Sequence, residues 1–262
     1  MGGVKILENI WEYNVVGVYD YKSPGHLSDW YELVVKNIES TPGDLVEAGV
    51  FTGKSFIGTS LLLQELQSTK KLNRYVTNFG FDTFDGFPNV VSVHDEWENF
   101  ENQFDTGIIT KQHYEEVLKN WNYLKHLKNL KVPSSTNLSS SGDFSKNSIQ
   151  LLNNKIKLLG LEKFVKIIDG PFDETMNNSN LPPKIAGVLF DCDLYSSYKT
   201  ALERMWPYLV KGGWFYFDEY YSLKFPGART AINEFFANKS QEIRWFHTKR
   251  DRDFERHWVI RV

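Results

Sequence analysis

A single cysteine, Cys192, is all that the 262 residues offer, so no disulfide can form within the chain. Stability must then come from a packed core, and the composition fits a reducing compartment. Long apolar runs are missing too. The longest, such as "WFYF" at 214–217, is far below the ~20 residues needed to cross a bilayer. Charge of one sign is also scarce: the net charge is -3, and no dense block of Lys and Arg forms the stripe that tracks phosphates. The opening "MGGVKILENIWEY" has no signal-peptide core, and Ile6 stands where a myristoylation signal requires Ser or Thr. The expectation is a cytoplasmic protein with no membrane span and no nucleic-acid partner.

What is present is a core-sized apolar share of 41%, with aromatics at 15%. That fits one sizeable domain, or a domain with an appendage. Residues 1–42 read as a helical appendage, because "HLSDWYELVVKNIES" spaces Leu27, Trp30, Leu33, Val34 and Ile38 close to a helical stripe. Its aromatics, Trp30 and Tyr31, make a homodimer contact possible. From 43 onward strands and helices alternate. "DLVEAGV", "RYVTNFGFD", "FVKIID", "KIAGVLFD" and "WFYFD" read as strands, "KSFIGTSLLLQELQ" and "SIQLLNNKIKLLG" as helices. "SSYKTALERMWPYLV" reads as a further helix, kinked at Pro207 and stopped by "KGG"; "ARTAINEFFANK" follows as another, and "EIRWFHT" and "HWVIRV" as a closing strand pair. This order predicts a doubly wound, Rossmann-like α/β sheet over 43–262, mostly parallel with a closing antiparallel strand. About 84–150 the regularity lapses around one helix, "KQHYEEVLKNWNYLKHL", which suits a lid or binding insertion. Within it, His94, Trp97 and His113 read as loop residues more readily than as acceptor contacts.

Ligands of such sheets bind outside the carboxyl ends of the strands, and here five strands end on acids. They are Glu47, Asp82, Asp169, Asp191 and the pair Asp218-Glu219. One such acid reads as a helix cap; five in succession do not. "EAGVFTGKS" places Gly49 and Gly53 where strand turns into helix. It lacks G-x-G-x-x-G, which argues against a nicotinamide-dependent oxidoreductase, and it is one residue short of a P-loop. Glu47, Gly49 and Asp82 together point to a nucleoside ligand. Asp191 and Asp193 lie on one side of an extended chain, close to Asp218 and Glu219 on the adjoining strand. Four carboxylates converging there either raise a pKa or recruit a cation; their hard oxygens suit Mg²⁺, and no His or Cys cluster recommends zinc. Cys192, between acids, reads as packing and not as a nucleophile.

Taken jointly, "GDLVEAGVFTG", "DTFDGFP", "DCDLY" and "DEY" resemble the metal-dependent sugar O-methyltransferases typified by macrocin O-methyltransferase, over about residues 43–235. The resemblance implies S-adenosylmethionine as cofactor. Glu47, Gly49 and Ser55 would hold its methionine end, Asp82 its ribose, and the segment Asp169, Gly170, Pro171, Phe172 its adenine, with Val50, Gly53, Thr83 and Asp191 completing the set. It implies Mg²⁺ on Asp191, Asp218 and Glu219, Asp193 as general base, and a glycan, glycolipid or glycosylated small molecule as acceptor. Three departures stand out: Cys192 where the family usually has Gly, Glu219 where it usually has a second Asp, and the neighbourhood of Thr52, where it often has Arg or another polar residue. The serious rival is a metal-independent methyltransferase of the same fold, with the acids as caps; a non-catalytic nucleoside-binding module leaves the four carboxylates unexplained.

Overall fold

The run Ile185–Phe190 is buried along its whole length, as a strand covered on both faces must be. The computed structural model in which it lies describes residues 7–23, 25, 27–88, 91–248 and 254–262. The start of the chain through Ile6 and most of the charged loop "KRDRDFE" lie outside them. The strands are β1 (Asp44–Ala48), β2 (Asn78–Asp82), β3 (Val165–Asp169), β4 (Ile185–Phe190), β5 (Leu209–Phe217), β6 (Ile243–Thr248) and β7 (Arg256–Arg261). The helices are α1 (Ile10–Val16), α2 (Ser28–Asn37), α3 (Lys54–Ser68), α4 (Asn99–Asp105), α5 (Lys111–Lys128), α6 (Ser135–Leu138), α7 (Ile149–Leu159), α8 (Phe172–Thr175), α9 (Tyr195–Met205) and α10 (Pro226–Phe236).

Seven strands form one sheet in the order β3-β2-β1-β4-β5-β7-β6. The first five are parallel; β7 runs antiparallel between β5 and β6. The strand order reverses between β1 and β4, so the crevice for a ligand opens there. Period-two alternation divides the core into two layers. Trp214 and Tyr216 of β5 face a layer with Trp30 and Val34 of α2, Phe56 and Leu63 of α3, and Leu152 and Ile156 of α7. Phe215 and Phe217 face Tyr198 and Leu202 of α9 and Ile232 and Phe236 of α10. The N-terminal helix α2 thus joins the main core, and the Trp30 indole donates to the Thr59 hydroxyl at 2.9 Å.

One element departs from the sequence reading. The helix predicted to run to "KGG" stops at Met205; a 3-10 turn over Trp206–Tyr208 carries Pro207, and β5 begins at Leu209. Proline cannot continue the helical ladder. The glycines lie inside the strand, where Gly212 has φ +79° and the register against β4 shifts, a bulge rather than a helix cap.

The 84–150 insertion builds a small core of its own from Phe100, Ile109 and Val117. It is tied to the α/β body by polar contacts. Gln103 donates to the Pro226 carbonyl at 2.8 Å, Arg229 to the Ile108 carbonyl at 2.8 Å, and Tyr195 N–H to Asp95 Oδ1 at 2.8 Å. Among the described residues, no helix is long and apolar enough to cross a membrane.

Candidate active site

At the switch point the loop after β1 must pass the end of β4 almost in contact. Gly49 makes this possible: at φ +92°, a Cβ there would lie 1.9 Å from the Asp191 carbonyl oxygen. The loop is then fixed from the side by Asp82, whose Oδ2 accepts the N–H groups of Val50 and Phe51, each at 2.7 Å, while Oδ1 accepts that of Phe84 at 2.7 Å. These contacts hold the tips of β1 and β2 around one opening.

That opening is a cavity of about 1160 Å³. It lies above the range typical for one drug-sized ligand. Its walls include Gly49, Asp82, Thr83, Asp169, Gly170, Phe172, Asp191, Asp193, Asp218 and Glu219 from the residues singled out in the sequence. Glu47, Val50, Gly53 and Ser55 are not among the lining residues. Glu47 is buried beneath, its Oε1 accepting the Ser55 hydroxyl at 2.6 Å and its Oε2 without a hydrogen-bond partner among the described residues. Burial pushes its carboxyl up to about 8. Gly53 faces Leu152 of α7.

The acids of β4 and β5 do converge. One oxygen each from Asp191, Asp218 and Glu219 lies within 4.8 Å of the others. Burial first, then the neighbouring carboxylates, hold Asp191 and Glu219 well above the usual carboxylate range. Glu219 Oε2 accepts from the buried Tyr198 hydroxyl at 2.6 Å, which fixes its side chain. Asp193 sits beside them with its carboxyl pushed up to about 7, mainly by burial, against the opposing influence of Lys224. Three hard oxygens that close together, two of them on carboxyls whose negative charge is disfavoured, fit a divalent cation such as Mg²⁺. Cys192 is buried among these acids, and its thiol is raised well above its ordinary value, so it is no nucleophile.

Several lining residues escape sequence reasoning. Tyr19 enters from the segment between α1 and α2, where its backbone N–H donates to the Lys54 carbonyl at 3.1 Å. Lys54, Lys224 and Arg256 bring positive charge to the cavity, and Arg256 Nη1 stands 3.5 Å from Asp218 Oδ1. Only Lys54 had a local signal, its place in "GVFTGKS". His94, Trp97 and His113 do not line the cavity. His113 is buried, stacks on Tyr221 with ring centres 3.9 Å apart, and meets the Ser222 carbonyl at 2.7 Å. Tyr195 and Lys199 have the Tyr-x-x-x-Lys spacing of some nicotinamide enzymes, but neither lines the cavity and the Tyr195 hydroxyl donates to Glu234.

Comparison with known proteins bears on this geometry. Residues 134–246 match the family described as Macrocin-O-methyltransferase (TylF). No curated protein matches the chain. Among solved structures, the O-methyltransferase NovP is similar at 21% identity and a TM-score of 0.56, over 88% of this chain and 75% of that one. CalS11, a calicheamicin methyltransferase, is similar at 20% identity and a TM-score of 0.55, over 89% of this chain and 76% of that one. At such identities the structures establish a common fold, the Rossmann-like sheet of class I methyltransferases. The chain has that fold and matches the macrocin-O-methyltransferase (TylF) family over residues 134–246, less than half of its length.

Proposed function

We propose that this chain methylates a sugar hydroxyl of a glycan, glycolipid or glycosylated small molecule, using S-adenosylmethionine and a Mg²⁺ ion held by Asp191, Asp218 and Glu219. The observation that carries this reading is the meeting of those three carboxylates within 4.8 Å, beside Asp193, in a cavity also lined by Asp82 and Gly170. The acceptor class rests on the resemblance of the sequence motifs to sugar O-methyltransferases and on the match to the macrocin-O-methyltransferase family over residues 134–246.

When bound, S-adenosylmethionine supplies an electrophilic sulfonium methyl and Mg²⁺ supplies Lewis acidity toward the acceptor hydroxyl. Asp193 takes the hydroxyl proton; its raised affinity for protons suits a base working near neutrality. Asp82, Thr83 and the segment Asp169–Phe172 hold the nucleoside. Gly49, with no side chain, leaves the loop after β1 open to a ligand, and Lys54 would supply the counter-charge to a cofactor carboxylate. Glu47, with Ser55, Val50 and Gly53, shapes the floor beneath. Methyl transfer from a sulfonium to an oxygen consumes opposite charges, so alignment in a dry cavity matters more than an oxyanion hole. The tethered insertion, which contributes Asn120 and Ser139 to the walls, excludes water.

One observation favours a second reading, the metal-independent methyltransferase: Arg256 and Lys224 already set positive charge against Asp218 and Asp193. Calorimetric titration with S-adenosylhomocysteine, with and without Mg²⁺, and with NAD⁺ in parallel, tests both. Micromolar binding of S-adenosylhomocysteine alone supports the cofactor, and activity abolished by EDTA supports the ion. Full activity in excess EDTA favours the second reading, and binding of NAD⁺ alone overturns both.

A further inference from the structure

Between Glu116 and Asp143 the chain runs for 26 residues without an acid while carrying Lys119, Lys125, Lys128 and Lys131. A local charge of +4 in a chain of net charge -3 is a pronounced reversal. The stretch begins midway along α5. The first half of the helix buries His113 and Val117, whereas no residue of its second half is buried. Tyr123 is 56% exposed, Leu127 82% and Val132 67%. Scattered exposed hydrophobics are ordinary; these are neighbours. Lys119, Tyr123 and Leu127 follow at four-residue spacing on one stripe of the helix, with Lys119 Nζ 5.8 Å from the Tyr123 ring centre.

The geometry points to an anionic lipid bilayer surface as the partner of this end of α5. Lysines interleaved with exposed Tyr, Leu and Val match the two components of interfacial binding, attraction to negative headgroups and insertion of apolar side chains at the acyl boundary. An RNA partner would be served by the lysines and by Tyr123 but would leave Leu127 and Val132 in water. The four basic residues are all Lys, without the Arg that stacks on bases or grips phosphate in two-pronged fashion. The surface also adjoins the cavity. Asn120 of the same helix lines it, and Lys128 donates to the carbonyls of Asn137 and Ser139, tying the end of α5 to the serine loop that forms another wall. Lys128 is therefore committed internally, and Lys119, Lys125 and Lys131 are the headgroup contacts. A sugar-bearing lipid acceptor would enter from that membrane; this consequence rests on the function proposed above, whereas the surface itself does not.

Co-sedimentation of the full chain with phosphatidylcholine vesicles, with and without a minority of phosphatidylglycerol, tests the surface without any methyl transfer. Binding is expected only to the anionic vesicles and weakens as salt rises. The triple variant Lys119→Gln, Lys125→Gln, Lys131→Gln is expected to bind about a hundredfold more weakly, roughly fivefold per lysine. Leu127→Asp is expected to lose binding as well. All of these side chains lie outside the cavity walls, so S-adenosylhomocysteine titration checks that the variants remain folded. Absence of vesicle binding, equal binding to pure phosphatidylcholine, an unaltered Leu127→Asp, or capture of single-stranded RNA in preference to vesicles overturns the proposal.

Discussion

Asp193 occupies an uncomfortable backbone position. Its φ is +60°, and Leu194 N–H reaches back to the Cys192 carbonyl at 2.6 Å, closing a three-residue turn around it. A left-handed conformation costs a non-glycine residue about 1–3 kcal/mol and persists only when its surroundings impose it. Here it turns the carboxyl into the cavity, next to the acids of β4 and β5. Asparagine tolerates that conformation and matches the shape, so Asp193→Asn is expected to fold and to bind S-adenosylhomocysteine as the parent does. Turnover is expected to fall about 10²–10⁴-fold, the usual contribution of a general base. Initial rates at saturating cofactor decide it: an unchanged rate removes Asp193 as the base. Lys54 poses a different question, since it contributes charge rather than a proton-accepting group. Lys54→Gln is expected to weaken S-adenosylhomocysteine binding about 10–100-fold, as loss of a hydrogen bond to a charged group would, and to raise the cofactor KM with little change in kcat. Equal affinity in calorimetry would show that the carboxylate is held elsewhere.

At the scale of elements, the insertion is a structure with its own core, joined to the catalytic body through α5 and the segment after β5. His113 is the clearest joint, pressed on Tyr221 and bonded to the Ser222 carbonyl. Burial pushes its pKa down to about 4; Arg229 opposes its protonation as well, and Glu116 only partly offsets this. The unfolded chain takes up a proton below pH 6.5 that the folded chain refuses. Stability is therefore full above about pH 6.5 and is lost as the pH falls toward 4, by at most about 3 kcal/mol from this residue. Buried carboxyls pushed the other way, Glu47 up to about 8 and Asp193 up to about 7, take up protons in the folded chain and oppose that loss, while His257, pushed down to about 3, adds to it. The readout is therefore a difference: the Tm of His113→Phe minus that of the wild type should rise as the pH falls from 6.5 toward 4, and an unchanged difference would contradict the account. The strands were legible because their runs are short, apolar and end on acids. The acid trio was legible for the same reason, since Asp191, Asp218 and Glu219 close two neighbouring runs. Tyr19, Lys224 and Arg256 were not, because they reach the cavity from an inter-helix segment, a loop and the last strand, with no local pattern to mark them. Glu47 shows the opposite case: it ends a strand as expected, yet its side chain turns under the floor toward Ser55. The glycines of "KGG" misled because a left-handed glycine serves a bulge as well as a helix stop.

For the whole molecule, the acid cluster is a liability that folding incurs in order to build the site. Asp191, half-buried, and Glu219, buried, are near one another and reluctant to ionise, while Arg256 faces Asp218 alone of the three within ion-pair distance. A ligand that binds only the folded chain stabilises it by mass action, by about 2.7 kcal/mol when its concentration is a hundred times its Kd. For a domain of this size each kcal/mol moves Tm by about 2–4 °C, so saturating Mg²⁺ is expected to raise Tm by roughly 5–10 °C. The effect should disappear in EDTA. Asp218→Ala removes one oxygen donor, so it should abolish the Tm response to Mg²⁺; in EDTA, loss of the ion pair with the buried Arg256 works against the relief of like-charge repulsion. The response to the ion therefore separates an ion site from a set of helix caps. Capping acids would give a parent indifferent to Mg²⁺, and differential scanning at constant ionic strength reads parent and variant in one series.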